Sequence, residues 1–326
     1  MNVIVKLVYN VILLFIMMVP GIIMKKCRLC DESFGKGLSN LVLYIAQPAL
    51  TFVAYLRPYN EKILINSAYV LAFSVILHSL FAVVAMNMFK KQPDSMRRML
   101  RFATVFSNVA FMGIPLIAAV LESDYPGSTV YALIYSVTFN VFLWSLGVRI
   151  CTDGKDENGN SINDYHEAKK IVFPWKAFLH PITIASFIGI FFFIFPIEGY
   201  VPDIAEEAFV ALKNLVAPLS MLVIGLRLPD IKLDDVRKDK GMYLFLLLRH
   251  IALPLLSIGL LKVTGLFVSI DPAVEIVVVI LAAAPAATSA TMFAEKYDCD
   301  AVYVSKLVTV STILSILTIP LLLFLV

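Results

Sequence analysis

Long apolar runs alternate with short polar connections from one end of the chain to the other. Ten runs can be marked, about 2–24, 36–56, 63–89, 99–121, 128–150, 176–196, 203–226, 241–262, 273–293 and 302–325. Each approaches the roughly 20 residues that carry a helix across about 30 Å of hydrocarbon. Lipid offers the backbone no hydrogen bonds, so a spanning segment satisfies its own N–H and C=O groups as a helix or joins a closed barrel. Barrel strands alternate apolar and polar positions, and the runs 41–56 and 273–286 do not. The pattern therefore predicts an all-α integral membrane protein. The first run carries an early Lys6, is longer than the apolar stretch of a secretory leader and lacks a small-residue cleavage site, so it is expected to remain as the first helix.

Composition fits this reading. Of 326 residues, 60% are hydrophobic and 16% charged, where a soluble domain has about half and a quarter. The net charge of +3 carries no message until the 27 Lys and Arg are sorted by connection. The first, third, fifth, seventh and ninth connections hold twenty of them, the opposite side only Lys6, Arg57, Lys62 and Lys262. The excess of basic residues on cytoplasmic loops then puts the odd connections inside. A multi-pass protein of the cell membrane with both termini extracytoplasmic is expected. The four cysteines, Cys27, Cys30, Cys151 and Cys299, fall on the reducing side. Cys27-x-x-Cys30 is half of a zinc pattern, and a lone pair in a loop predicts no metal.

Secondary transporters often carry inverted repeats with interrupted helices at matching places. Here Pro48 and Pro115 are 67 residues apart, as are Pro218 and Pro285, so one shift of 170 carries the first pair onto the second. Arg57 and Arg227 obey the same shift. The expected organisation is a first five-helix repeat over 1–151, a polar cytoplasmic linker over 152–175 and a second, inverted repeat over 176–326.

The candidate chemistry lies at the interruptions. Gly113-Ile114-Pro115 breaks the fourth run and Ala284-Pro285 the ninth, because proline removes a donor and clashes with the carbonyl four residues back. Each proline is expected to open a second half-helix, where its missing N–H does no harm. Two half-helix N-termini meeting near the midplane would suit a carboxylate; two plain packing kinks are the alternative. Asn108 shares a face with Pro115, Thr104 and Arg101, and can donate to an anion or simply bond another helix. Gln47, Asn214, Tyr135, Ser136 and Asn140 are further candidates for the same cavity. The deep ionisable residues are Arg249, His250 and His78, with Lys213 and Lys306 nearer helix ends, and no Asp or Glu sits mid-run. A charge at that depth usually has work to do, although Arg249 could snorkel and the histidines could serve packing. Basic groups without acids point to an anionic substrate.

Four stretches carry a family likeness: LVLYIAQPALTF (41–52), SNVAFMGIPLIAAV (107–120), NLVAPLSMLVIGLRL (214–228) and AAAPAATSATMFAEKYDCDAVYVSKLVTVSTILSILTIPLL (282–322). They resemble the auxin efflux carrier family, bacterial permeases related to the plant PIN-type exporters, over nearly the whole chain. The resemblance implies a ten-helix, five-plus-five inverted repeat whose fourth and ninth helices cross at their prolines. It implies transport of organic anions such as malonate, malate or auxin-like carboxylates, a homodimer and no cofactor. Asn108, Pro115 and Pro285 match the crossing motif, which adds Gly113 and Ile114 on one side and Ala286 and Thr288 on the other as binding candidates. The short linker departs from the long loop of many plant members, so their regulation does not transfer. The reading is a secondary transporter working by alternating access in the bilayer. Its rivals are a sodium-coupled carrier resembling the bile-acid symporters and a non-transporting receptor. An enzyme is disfavoured by the lack of HExxH, GxSxG and phosphate-loop motifs, and nothing suggests a nucleic-acid partner.

Overall fold

The computed structural model describes residues 9, 12–152, 175–195, 201–230 and 239–325. Nearly all of the expected linker lies outside them. Among the described residues the regular structure is helical, and the one β-type contact is an isolated bridge. Six continuous helical stretches among the described residues are long and apolar enough to cross a membrane: Ser33–Tyr55, Glu61–Asn87, Ser128–Thr152, Asp203–Arg227, Lys240–Gly265 and Ala301–Leu323. Val109–Val120, Pro181–Ile194 and Pro272–Ala283 are shorter apolar helices.

We label the helices α1 (Val19–Lys26), α2 (Glu32–Leu41 continuing to Gln47–Tyr55), α3 (Glu61–Asn87), α4a (Asp94–Val105), α4b (Val109–Gly113 with Ile114–Val120) and α5 (Ser128–Phe142 continuing to Val148–Thr152). They continue as α6 (Pro181–Ile194), α7a (Asp203–Lys213), α7b (Val216–Arg227), α8 (Lys240–Leu247 continuing to Leu253–Gly265), α9a (Pro272–Ala283), α9b (Ser289–Lys296) and α10 (Ala301–Leu323).

Polar connections set where helices start. Asp31, Asn60, Asp239, Asp271 and Asp300 each precede a helix and accept its first free N–H groups, as in Asp271 from Ala273 at 2.8 Å and Asp300 from Tyr303 at 2.8 Å. Proline shapes the interiors. The π turns Val42–Ala46, Val109–Gly113 and Leu248–Ala252 each end two residues before a proline, namely Pro48, Pro115 and Pro254. A proline cannot bond the carbonyl four residues back and its ring presses on it. Widening the preceding turn relieves both faults without ending the helix. A fourth π turn, Leu143–Gly147, has no such proline.

The helices pack as two groups. In one, α1 lies against α7b while α2 lies against α6 and α7a. In the other, α3 packs on α4a and α5, α9a packs on α5, α8 and α10, and α10 packs on α4a and α9b. The groups meet where α7b touches α4b and where α6 touches α5. The outer face of α6 presents Ile184, Phe187, Ile188 and Phe191 at helical spacing, the surface expected of a helix facing hydrocarbon.

The α1–α7b contact is backbone against backbone. A Cβ added to Gly225 would lie 2.2 Å from the Met18 carbonyl oxygen, and one added to Gly21 would lie 2.5 Å from that of Leu222. Small residues at such crossings let membrane helices approach closely. Gly225→Ala is therefore expected to push the two helices apart, at roughly 1–3 kcal/mol for overpacking a close contact. A thermal melt of the detergent-purified variant checks this, and an unchanged midpoint would show that the contact yields freely.

Candidate functional site

The two helices broken by extended gaps, α4 and α9, belong to the second group, and their gaps meet. Proline fixes one gap, since the residue before a proline is driven extended. Ala284, ahead of Pro285, has φ −58° and ψ 147° and ends α9a. In α4 the helix ends at Val105, and Phe106 turns extended with ψ 114°. No proline acts there; Phe106–Asn108 is held by pairing with the other gap. The Asn108 N–H donates to the Pro285 carbonyl at 2.7 Å, and the Ala287 N–H donates to the Phe106 carbonyl at 2.9 Å. Ser107 and Ala286 form the antiparallel bridge between them. Each gap thus supplies partners for backbone groups that its own helix leaves free.

This differs from the expectation that each proline opens a half-helix. Pro285 lies inside its gap, four residues before Ser289 begins α9b. Pro115 lies beyond its gap, after the π turn, as the second residue of Ile114–Val120. The shift of 170 aligns the prolines without aligning the gaps, since α4a and α9a begin at Asp94 and Pro272, 178 apart. The difference arises between the second and third helices of each half: five residues separate α2 from α3, and twelve separate α7b from α8.

The C-terminal ends of α4a and α9a are held by one residue. Arg249 is fully buried, in the π turn ahead of Pro254. Its Nε donates to the Ala284 carbonyl at 2.9 Å and its NH2 to the carbonyls of Ala282 at 2.8 Å and Ala284 at 2.9 Å. Its NH1 donates to the Thr104 carbonyl at 3.1 Å. The guanidinium also lies 5.9 Å from the Phe81 ring centroid. The snorkelling alternative does not describe this side chain, which turns inward. Beside it, His250 bonds the Ser311 hydroxyl at 2.9 Å, and that oxygen accepts the Ala286 N–H at 3.0 Å. The other ring nitrogen bonds Thr318 at 3.0 Å.

The N-terminal ends of α4b and α9b are less fully paired. Asn108 caps α4b, its Oδ1 accepting the Phe111 N–H at 3.3 Å. With the oxygen committed there, the Asn108 Nδ2 is left buried without a partner. The Gln47 Nε2 donates to the Ala110 carbonyl, which leaves the Gln47 Oε1 unpaired, and the Ser289 Oγ at the head of α9b is also unpaired. A Cβ on Gly113 would come 2.5 Å from a Leu281 methyl, so its small size sets how closely α4b and α9a approach. The crossing therefore places a cation on its carbonyl ends and offers uncommitted polar groups at its N–H ends, an arrangement able to receive an anion.

A family model described as membrane transport protein, the auxin efflux carrier family, matches residues 6–323. The chain belongs to that family. No curated protein matches the chain. An auxin efflux carrier family member is a membrane transport protein, and the family is one of transporters rather than enzymes. With its apolar helices, this makes the chain a multi-pass membrane protein.

The remaining candidates of this family member fall in several places. Ile114 and Pro115 are buried in α4b, and Thr288 follows the α9 gap with its carbonyl accepting from Arg227 NH1 at 3.3 Å. Asn140 donates to the Thr183 hydroxyl at 3.3 Å and so joins α5 to α6. His78 bonds the Ser74 carbonyl at 2.7 Å and packs against Tyr135 and Phe142, each ring centroid 5.2 Å away; both His78 and Tyr135 read as packing groups. Asn214 is exposed in the turn between α7a and α7b, in a cavity of about 490 Å³ lined also by Asp203, Glu206 and Glu207. Thr104 and Arg101 turn to the carbonyls of Leu100 and Met86. Arg57 lies just beyond α2 with its guanidinium 2.6 Å from Glu122, which also accepts the Gly127 and Thr129 N–H groups. Burial pushes the Glu122 carboxyl up, and the bonds from Thr129, Arg57 and Gly127 outweigh it and hold it below the ordinary range. Cys27 is exposed and Cys30 half-buried, and the described residues contain no group of three or more metal-ligating side chains.

Sequence reasoning passed over Ser289 and Ser311, and set Pro254 aside as a proline without a mate under the shift of 170. Ser311, Ser315 and Thr318 recur at helical spacing in α10, a polar stripe that marks an inward face in an otherwise apolar span.

Proposed function

We propose that the chain is a permease that moves a small organic anion, a malonate-, malate- or auxin-like carboxylate, across the cell membrane by alternating access. The observation that carries this is the uncommitted Asn108 Nδ2 at the head of α4b, on the N–H side of a crossing whose carbonyl side is already matched by Arg249. A helix N-terminus carries about half a positive charge, and a carboxylate satisfies both that field and a free amide donor. Asn108, Gly113, Pro285 and Ala286 form the proposed site, with Gln47 and Ser289 beside it. Pro115, Ile114 and Thr288 support it. Tyr135, Asn140, Asn214 and His78 are not proposed as ligands.

The division into two helix groups supports alternating access, in which the group holding the crossing moves against α1, α2, α6 and α7. Ten crossings in a five-plus-five inverted arrangement, with an extended connection in the second half, and a homodimer complete the proposal. Thermal-shift titration of the purified protein with malonate, malate and indole-3-acetate tests the substrate class, with choline as the cationic control. A ligand at 100 times its dissociation constant adds about 2.7 kcal/mol to the folded state. Stabilisation by choline and by none of the acids would sink the anion reading.

Orientation has its own test. In a chain whose native cysteines are replaced by serine, a cysteine at Ser123 is expected to react with an impermeant thiol reagent from outside. One at Lys91 should react only after permeabilisation. Labelling of the Lys91 position in intact cells reverses the proposed topology.

A further inference from the structure

The carbonyl side of the crossing contains three oxygens turned to one point. The carbonyls of Ala282, Ala284 and Thr104 come from the C-terminal ends of α9a and α4a, and all converge on the buried Arg249 guanidinium. Such ends carry partial negative charge. In transporters with broken helices, unwound carbonyls and half-helix C-termini are where a coupling cation is coordinated. Here that place is filled covalently, and among the described residues Arg249 forms no ion pair with a carboxylate. Its positive charge is therefore matched by backbone dipoles from two helices at once. We propose that Arg249 is a fixed counter-cation that stands where a coupling cation would bind, so that the anion site is formed without any added metal cation.

The consequence for coupling rests on the carboxylate reading above, while the role of Arg249 in the crossing does not. Arg249 holds both α4a and α9a, so its charge travels with the crossing and cannot be released on either side of the membrane. It acts as a positioning residue: it aligns the two gaps and balances the ends that face away from the substrate. The geometry also explains why a planar, multi-donor side chain stands here, since one ammonium reaches fewer directions than the guanidinium fork.

The test uses the full-length purified protein in two arms. In the first, malonate affinity of the wild type is measured in sodium, potassium and N-methylglucamine buffers. Equal affinities are expected; binding about tenfold weaker without sodium, the step that about 1.4 kcal/mol makes, overturns the proposal. The second arm needs no substrate, so it decides the role of Arg249 even if no carboxylate binds. Arg249→Ala is expected to melt well below wild type and to recover part of the loss in low millimolar methylguanidinium, which leaves the wild type unmoved. Arg249→Lys, which keeps the charge, is expected to melt above Arg249→Met, which keeps only the length. If the alanine variant fails to fold, the Lys–Met comparison decides alone. A Met variant as stable as Lys, or an alanine variant that methylguanidinium does not help, assigns the residue to packing and overturns the proposal. Wild type that binds no acid while Arg249→Ala is rescued sinks the carboxylate reading alone.

Discussion

Asn108→Asp is expected to weaken carboxylate binding severely while leaving the protein folded. The side chain has two separable duties. Its Oδ1 caps α4b by accepting the Phe111 N–H, and its buried Nδ2 has no partner. Aspartate is as good a cap as asparagine, and a negative charge at a helix N-terminus is favourable. The backbone bond from the Asn108 N–H to Pro285 is indifferent to the side chain. The cap is kept, but a charged oxygen replaces a buried amide, so the melting midpoint should fall modestly while the protein stays folded. Binding loses the amide donor, a hydrogen bond to a charged group worth about 1.5–3 kcal/mol. It also gains a like charge facing the substrate. Together these predict affinity weaker by roughly a hundredfold or more, at about 1.4 kcal/mol per tenfold. Asn108→Ser, which retains a capping oxygen without the charge, should lose less. Calorimetric titration with malonate alongside a thermal melt separates the two duties. Wild-type affinity in a folded Asp variant would remove Asn108 from the site.

How far the sequence foretold this arrangement can be judged residue by residue. Helix positions were legible because in lipid the period hardly matters and long apolar runs suffice; the capping Asp and Asn residues that set several starts were not read from the sequence. That α9 is broken was legible from Pro285; Pro115 pointed to α4 without causing its gap. The register of the breaks was not legible. Pro115 and Pro285 match under one shift of 170, yet one widens a turn and the other ends a helix. What decides is the segment opposite: Phe106–Asn108 opens because the second gap offers it two backbone hydrogen bonds, and within that segment only Asn108, a helix-capping residue, announces it. Arg249 was visible as a buried charge, and its partners were not, since they are carbonyls with no side-chain signature. Pro254 has no mate under the shift and reads as incidental, whereas it follows the π turn that carries Arg249 and His250. Asn140 was drawn in by polarity and Asn214 by its place four residues before Pro218, and neither signal can tell an interhelical bond or an exposed turn from a ligand.

That asymmetry between the prolines sets the final prediction: Pro285→Ala should disable the crossing, and Pro115→Ala should not. Alanine at 285 restores an N–H and frees Ala284 from its extended conformation. It is also about 3 kcal/mol better than proline inside a helix. α9a can then run on toward α9b across the gap. Doing so turns the Pro285 carbonyl away from the Asn108 N–H, withdraws the Ala287 N–H from Phe106 and swings the Ala284 carbonyl off Arg249. Both sides of the site are lost together, so malonate affinity should fall by roughly a hundredfold, the equivalent of about 2.7 kcal/mol. Alanine at 115 lets the Val109–Gly113 turn tighten toward an α-helix, which shifts Gly113 against Leu281. The gap at Phe106–Asn108 and its bonds remain. The loss there should be about tenfold or less, within the roughly 1.5 kcal/mol that a tolerated core repacking costs. Titration of both variants, each first shown to be inserted and monodisperse, makes the comparison. A Pro285→Ala variant that binds like wild type would show that the second gap is not held open by its proline. A larger loss at Pro115 than at Pro285 would move the substrate away from the gaps and toward the π turn of α4b.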